Sequence, residues 1–118
     1  MEKNVVVYLN REEEFYDWRK SAPAMPLMVS LPDEVKDTAG MKHFLQNIHV
    51  EILDGDFDKY SGEMLMFAAK SGYLVLPDIQ GKNENPSLWD IAIQKGIKAL
   101  QTDHPGELIN YLQEQGIR

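Results

Sequence analysis

The chain has 118 residues, 43% of them hydrophobic and 26% charged, enough for one domain with one apolar core and unlike the composition of a disordered, fibrous or disulfide-stapled chain. Twelve Lys and Arg against nineteen Asp and Glu give a net charge of −7, the wrong sign for a nucleic-acid or anionic-membrane partner. Cysteine is absent, which excludes disulfides and thiolate catalysis.

Met1–Asn4 lead directly into an apolar run without a basic or hydrophobic leader, and no apolar stretch approaches the length of a membrane-spanning helix. The expectation is a cytoplasmic protein with no membrane insertion, or a piece of a longer chain. The first predicted strand is Val5–Leu9, followed by a helix over Arg11–Lys20 with Asn10 as N-cap and the acidic run Glu12–Glu14 in the first turn. A turn around Pro23 delivers a second strand, Pro26–Leu31. Met41, Phe44, Leu45 and Ile48 then share one helical face, which predicts a helix from about Thr38.

His49–Leu53 reads as the third strand, ending in Asp54-Gly55-Asp56. The next helical stripe, Met64, Leu65, Phe67 and Ala68, closes at Gly72, a residue suited to the left-handed position after a helix. Tyr73–Ile79 is the fourth strand, and a polar loop over residues 80–85 leads to a helix through Trp89 and Ala92, with Ser87 and Asp90 as capping box. Ile97–Thr102 is the fifth strand, and the last helix carries Leu108, Ile109, Tyr111 and Leu112, capped by Asp103 or His104 with Pro105 in its first turn. Strands separated by helices cannot pair as hairpins, so the fold class is α/β with a parallel (βα)₅ sheet. Consecutive apolar residues in VVVYL, PLMVSL and YLVL call for burial of both sheet faces. Periodicity alone leaves a doubly wound sheet and a barrel segment as alternatives.

Thr102-Asp103-His104-Pro105, within the stretch Ile97–Leu112, resembles the last strand and helix of glycerophosphodiester phosphodiesterases, where a run like "GIITDRP" precedes the final helix. Glu63–Val75 resembles that family's "AxxxGL" unit, and Trp18–Pro26 its "LRxxAPxxP" stretch. The resemblance implies a lipid-metabolism hydrolase built on a TIM-type (β/α) barrel, of which this chain is the C-terminal portion, its last five strands. The family's His-Arg-Gly, its Glu-x-Asp and its metal-binding carboxylates lie in the first half of the barrel, and its "WTVN" is replaced here by Pro77-Asp78-Ile79-Gln80-Gly81. No catalytic residue carries over. For this chain no cofactor is expected; the resemblance implies a divalent metal, Mg²⁺ or Ca²⁺, in the parent protein.

In a barrel the C-terminal strand ends face the active site. Here those ends hold Asn10, Ser30, Asp54, Asp56, Asp78, Gln80, Thr102 and Asp103. Asp54, Asp56 and Asp78 are the candidate metal ligands, because a hard cation takes oxygen donors from neighbouring loops; against this stands the ordinary role of such acids in capping and loop structure. His43, His49 and His104 are scattered without zinc-site spacing, and Met64, Met66 and Phe67 fit core packing. Two functions from different classes follow: a phosphodiesterase fragment inactive by itself, or an independent non-catalytic domain for dimerisation or partner binding. An open barrel segment exposes its inner face and edges. The expected partner is therefore a second copy, in a homo-oligomer, or the missing N-terminal half-barrel, with Val6, Tyr8, Met28 and Val75 at the interface.

Overall fold

The computed structural model describes residues 5–81 and 83–118, and of Glu12 the backbone alone. Met1–Asn4, where no leader is read, and Lys82 of the polar loop lie outside the described residues. In chain order the elements are β1 (Val7–Leu9), α1 (Glu12–Ser21), β2 (Leu27–Ser30), α2 (Thr38–Leu45), β3 (Ile52–Asp54), a 3₁₀ turn (Phe57–Lys59), α3 (Gly62–Lys70), β4 (Leu74–Val75), α4 (Pro86–Gln94) and α5 (Pro105–Glu114). The four strands form one parallel sheet in the order β1-β2-β3-β4. Sequential order with a helix at each crossover is the arrangement of a barrel wall; a doubly wound sheet would reverse its order part-way.

Register assigns the faces. Leu9, Val29, Leu53 and Val75 lie in one row, and they are buried in the same core as Phe15 of α1, Met41 and Leu45 of α2, and Met64 and Ala68 of α3. A second core joins Ile79 and Phe57 to Trp89 and Ala92 of α4, with Leu108 and Tyr111 of α5 against it. All five helices thus pack on the side of the sheet to which Leu9 and its row point. The alternate row, Tyr8, Met28, Ile52 and Leu74, projects to the opposite side, because successive strand residues alternate faces. Val75, expected at an inner-face interface, is instead 8% exposed in the helix-side core, and its neighbour Leu74, at 42%, occupies the inner row. A slip of one residue is enough to exchange them.

The fifth strand is pared down to a single bridge between Asp78 and Gln101. Gln101 N–H donates to the Pro77 carbonyl at 3.0 Å, and Ile79 N–H donates to the Gln101 carbonyl at 3.2 Å. The next rung of a parallel ladder requires an N–H at residue 77, and proline has none. Helix caps differ from expectation by one or two residues: Arg11 takes the N-cap position of α1, and its side chain pairs with Glu14. Asn85 caps α4 by accepting from Leu88 N–H, with Pro86 in the first turn, so Ser87 is already helical. His104 occupies the cap position of α5, leaving Asp103 to other work. Gly72 follows α3 at φ +84°, as its position demands. Among the described residues no helix is long and apolar enough to cross a membrane.

Candidate functional site

The C-terminal ends of β2, β3 and β4 place Ser30, Asp54, Asp56 and Asp78 on the inner side of the sheet. Ser30 stands opposite Asp54 in the ladder, Asp56 follows two residues later on the same face, and a bridge sets Asp56 beside Asp78. Together with Tyr8 and Gln80 these side chains line an open hollow of about 400 Å³. Gly55 turns the chain between the first two acids at φ +130°, a conformation that a side chain at this position would strain.

A hydrogen-bonded track crosses the sheet at this level. The Tyr8 and Ser30 hydroxyls share a hydrogen bond at 2.8 Å, and the Ser30 hydroxyl donates to Asp54 Oδ2 at 3.0 Å. Gln101 Nε2 donates both to Asp54 Oδ1 and to the Leu76 carbonyl, the latter at 3.0 Å. Asp54 is therefore held from two sides, while its main-chain carbonyl accepts from Leu31 N–H and from the Tyr60 hydroxyl at 2.6 Å. Tyr60 is fully buried. Burial first, and the neighbouring Asp54 charge second, push its phenol well above the usual tyrosine range. Asp78 Oδ1 accepts from Gln80 N–H at 2.7 Å, closing a tight turn at the end of β4.

The structure brings the three sequence-predicted acids, Asp54, Asp56 and Asp78, to one hollow with Ser30 and Gln80. Among the described residues no group of three His, Asp or Glu side chains is disposed to hold one metal ion. Thr102 and Asp103 form a separate knot. The Thr102 hydroxyl donates to Glu84 and accepts from His104 N–H, Asp103 N–H donates to Glu84, and Asp103 Oδ2 accepts from Gly81 N–H. Glu84 also accepts from the Trp89 indole. This ties the loop after β4 to the starts of α4 and α5, so the Thr-Asp-His-Pro segment braces the fold beside the hollow. His104 faces Glu107 at the surface.

Sequence reasoning missed Gln101 as a partner of Asp54 and missed Glu84 altogether. A glutamine amid the apolar residues of the fifth strand was a readable signal; nothing local marks Glu84, whose partners are 5, 18 and 19 residues away.

No protein-family model and no curated protein matches this chain. A solved structure does: that of a candidate glycerophosphoryl diester phosphodiesterase from Silicibacter pomeroyi superposes with a TM-score of 0.78 at 20% sequence identity. The match covers 99% of this chain and 40% of that one. The likeness is one of fold, and the sequential parallel sheet with its helices on one side is the architecture of a (β/α)-barrel segment.

Proposed function

We propose that this chain is the C-terminal part of a glycerophosphodiester phosphodiesterase-like hydrolase of lipid metabolism, supplying one wall of the active-site mouth and inactive alone. The observation that carries the reading is the near-complete superposition of this chain on less than half of a longer phosphodiesterase candidate. The polar layer at the strand ends supports it, because that rim is where barrel enzymes place their chemistry.

Phosphodiester hydrolysis by metal-assisted attack needs oxygen ligands around one cation and an acid and a base beside the scissile bond. Among the described residues no group of three His, Asp or Glu side chains is disposed around one point, so this wall alone would not complete a metal's coordination. What the wall can do is accept hydrogen bonds. Its carboxylates repel a phosphate and attract hydroxyl or ammonium groups, so it faces the alcohol side of a diester. Metal, acid and base then come from the remainder of the barrel.

The test is direct. Purified protein incubated with glycerophosphocholine, with and without Mg²⁺ or Ca²⁺, is expected to show no turnover above background. Metal-dependent turnover that survives repurification and disappears in Asp54→Asn overturns the reading. The second reading, an independent non-catalytic domain for dimerisation or partner binding, draws on the exposed inner-face residues Tyr8 and Leu74. Reading the coding sequence ahead of Met1 for a His-Arg-Gly followed by a Glu-x-Asp separates the two.

A further inference from the structure

Helix α5 is the most loosely seated element of the helix layer. It carries Leu108, Ile109, Tyr111 and Leu112, yet none of its residues is buried, whereas each of the other four helices buries at least one side chain. Between α5 and α4, over residues 97–100, lies a groove of about 200 Å³. Trp89 and Ala92 of α4, both buried, form its floor, and Ile97, Leu100, Leu108 and Leu112 stand along its sides. Lys98 is the one charged residue of its lining, and the rest of that lining is apolar. Lys98 is exposed and makes no hydrogen bond or ion pair among the described residues.

Size, lining and charge choose the occupant. A helix is about 10 Å across, and a strand brings backbone polar groups that apolar walls cannot satisfy. The groove's volume is about seven times the share of one water molecule in the liquid, room for a single thin apolar chain. Water gains little there, because apolar walls offer it few hydrogen-bond partners. Lys98 sets the sign of the head group that such a chain can carry. The walls belong to two successive helices and the segment joining them, and a helix at the next barrel position would lie on the far side of α5 from α4. The groove shares no residue with the hollow at the strand ends.

We propose that the groove between α4 and α5 binds the unbranched hydrocarbon chain of a medium-chain fatty carboxylate, with the carboxylate at Lys98. The chain covers Trp89 and Ala92 and seats α5, while the head pairs with an ammonium that has no other partner among the described residues. Each methylene that enters the groove tightens binding about two- to fourfold, and an exposed ion pair adds about two- to fivefold. The inference is independent of the hydrolase reading.

The test titrates hexanoate, octanoate and decanoate, with octanol as the uncharged probe, into the full chain at neutral pH, followed by ¹⁵N NMR. Saturable shifts are expected at the Trp89 indole and at the amides of Ala92, Ile97, Lys98, Leu108 and Leu112, with the inner-face amides of Tyr8 and Leu74 unmoved. Affinity should rise about two- to fourfold per methylene from hexanoate to octanoate and then flatten once the groove is full. Lys98→Gln, at an exposed position, should weaken octanoate about two- to fivefold and leave octanol unchanged. Ala99→Phe, which fills the groove from its own lining, should weaken both by about fivefold or more; if circular dichroism shows that variant unfolded, the chain-length series and Lys98→Gln decide alone. Failure of decanoate to give a saturable shift overturns the proposal. So do shifts centred on Tyr8 and Leu74, which would mean adsorption to the open sheet, and an equal loss of octanol and octanoate in Lys98→Gln.

Discussion

Replacing Arg19 with methionine tests whether the base of the sheet is held by a guanidinium fork. Arg19 leaves α1 and reaches beneath the strand starts, where its Nη1 donates to the Pro23 and Met25 carbonyls at 3.2 and 3.0 Å. Its Nη2 and Nε donate to the His49 carbonyl at 2.8 and 3.2 Å. Nη2 also meets the Glu51 carboxylate at 2.6 Å, and Glu51 accepts in turn from Leu27 N–H at 2.8 Å. One side chain thus joins the entries of β2 and β3 to the helix between β1 and β2. The ion pair contributes little, since Glu51 is half exposed (50%) and pairs of that kind yield about 0–1 kcal/mol. The three carbonyls contribute more. Bonds from a charged donor contribute roughly 1.5–3 kcal/mol when buried, and water replaces part of each at this partly open site, so about 0.5–1 kcal/mol apiece is retained. The total for Arg19→Met is about 2–3 kcal/mol, or a fall in Tm of roughly 8–12 °C for a domain of this size. Urea and thermal denaturation followed by circular dichroism measure it. Glu51→Gln, which keeps an oxygen for Leu27 N–H, should cost less than about 1 kcal/mol, and Arg19→Lys should recover only a minority of the loss because an ammonium cannot span the three carbonyls. An Arg19→Met protein within about 0.5 kcal/mol of the parent, or a Glu51→Gln cost equal to that of Arg19→Met, would refute the fork as the source of stability.

Tyr60 stays neutral in the fold, so its contribution is fully present below the usual phenol pKa near 10 and is lost as pH rises through its raised folded value; phenolate absorbance should show one of the five tyrosines ionising only together with unfolding. Tyr60→Phe should cost about 1 kcal/mol by denaturant titration, a modest loss because the Asp54 carbonyl keeps its bond from Leu31 N–H, and a loss several times larger would mean that the ring itself is displaced. Gln101→Leu removes the donor to Asp54 and to the Leu76 carbonyl, with an expected cost of about 1.5–3 kcal/mol and faster hydrogen exchange at the Ile79 and Gln101 amides; unchanged exchange there would separate the fifth position from the polar track. Pro77→Ala supplies an N–H directed at the Ala99 carbonyl, and a protected amide at residue 77 is the expected sign of a lengthened ladder, whereas free exchange would place the cause of the short fifth strand elsewhere.

The alternation of strand and helix is legible in the sequence because it is carried by local contrasts. VVVYL, PLMVSL and YLVL are short apolar runs set apart by turn residues, and the stripes on α2 and α3 face one way. What escapes is whatever depends on a distant partner. Ile97–Thr102 has a strand's composition, yet its ladder is cut short by a proline on the neighbouring strand, twenty residues and more away in the chain. Caps escape for a related reason: Asn10 and Ser87 are good cap residues, but the packing of α1 and α4 starts those helices at Glu12 and at Pro86. Of the hollow, Asp54, Asp56 and Asp78 are readable as strand-end acids, while the joining of Tyr8, Ser30, Asp54 and Gln101 into one track depends on register across the sheet, which no single segment encodes.

The residues that carry the family resemblance turn out to be bracing residues. Arg19, in the stretch Trp18–Pro26, clamps the base of the sheet, and Thr102-Asp103 ties the loop after β4 to the last two helices through Glu84 and Gly81. Gly72, in the Glu63–Val75 stretch, turns the chain from α3 into β4. Such residues hold strands, helices and loops together, so a resemblance built on them points to fold before chemistry. The mouth makes the same division from the other side. Among its described residues Ser30 and Gln101 donate to Asp54, and the Gln80 main-chain N–H donates to Asp78, so both carboxylates are held in place as acceptors.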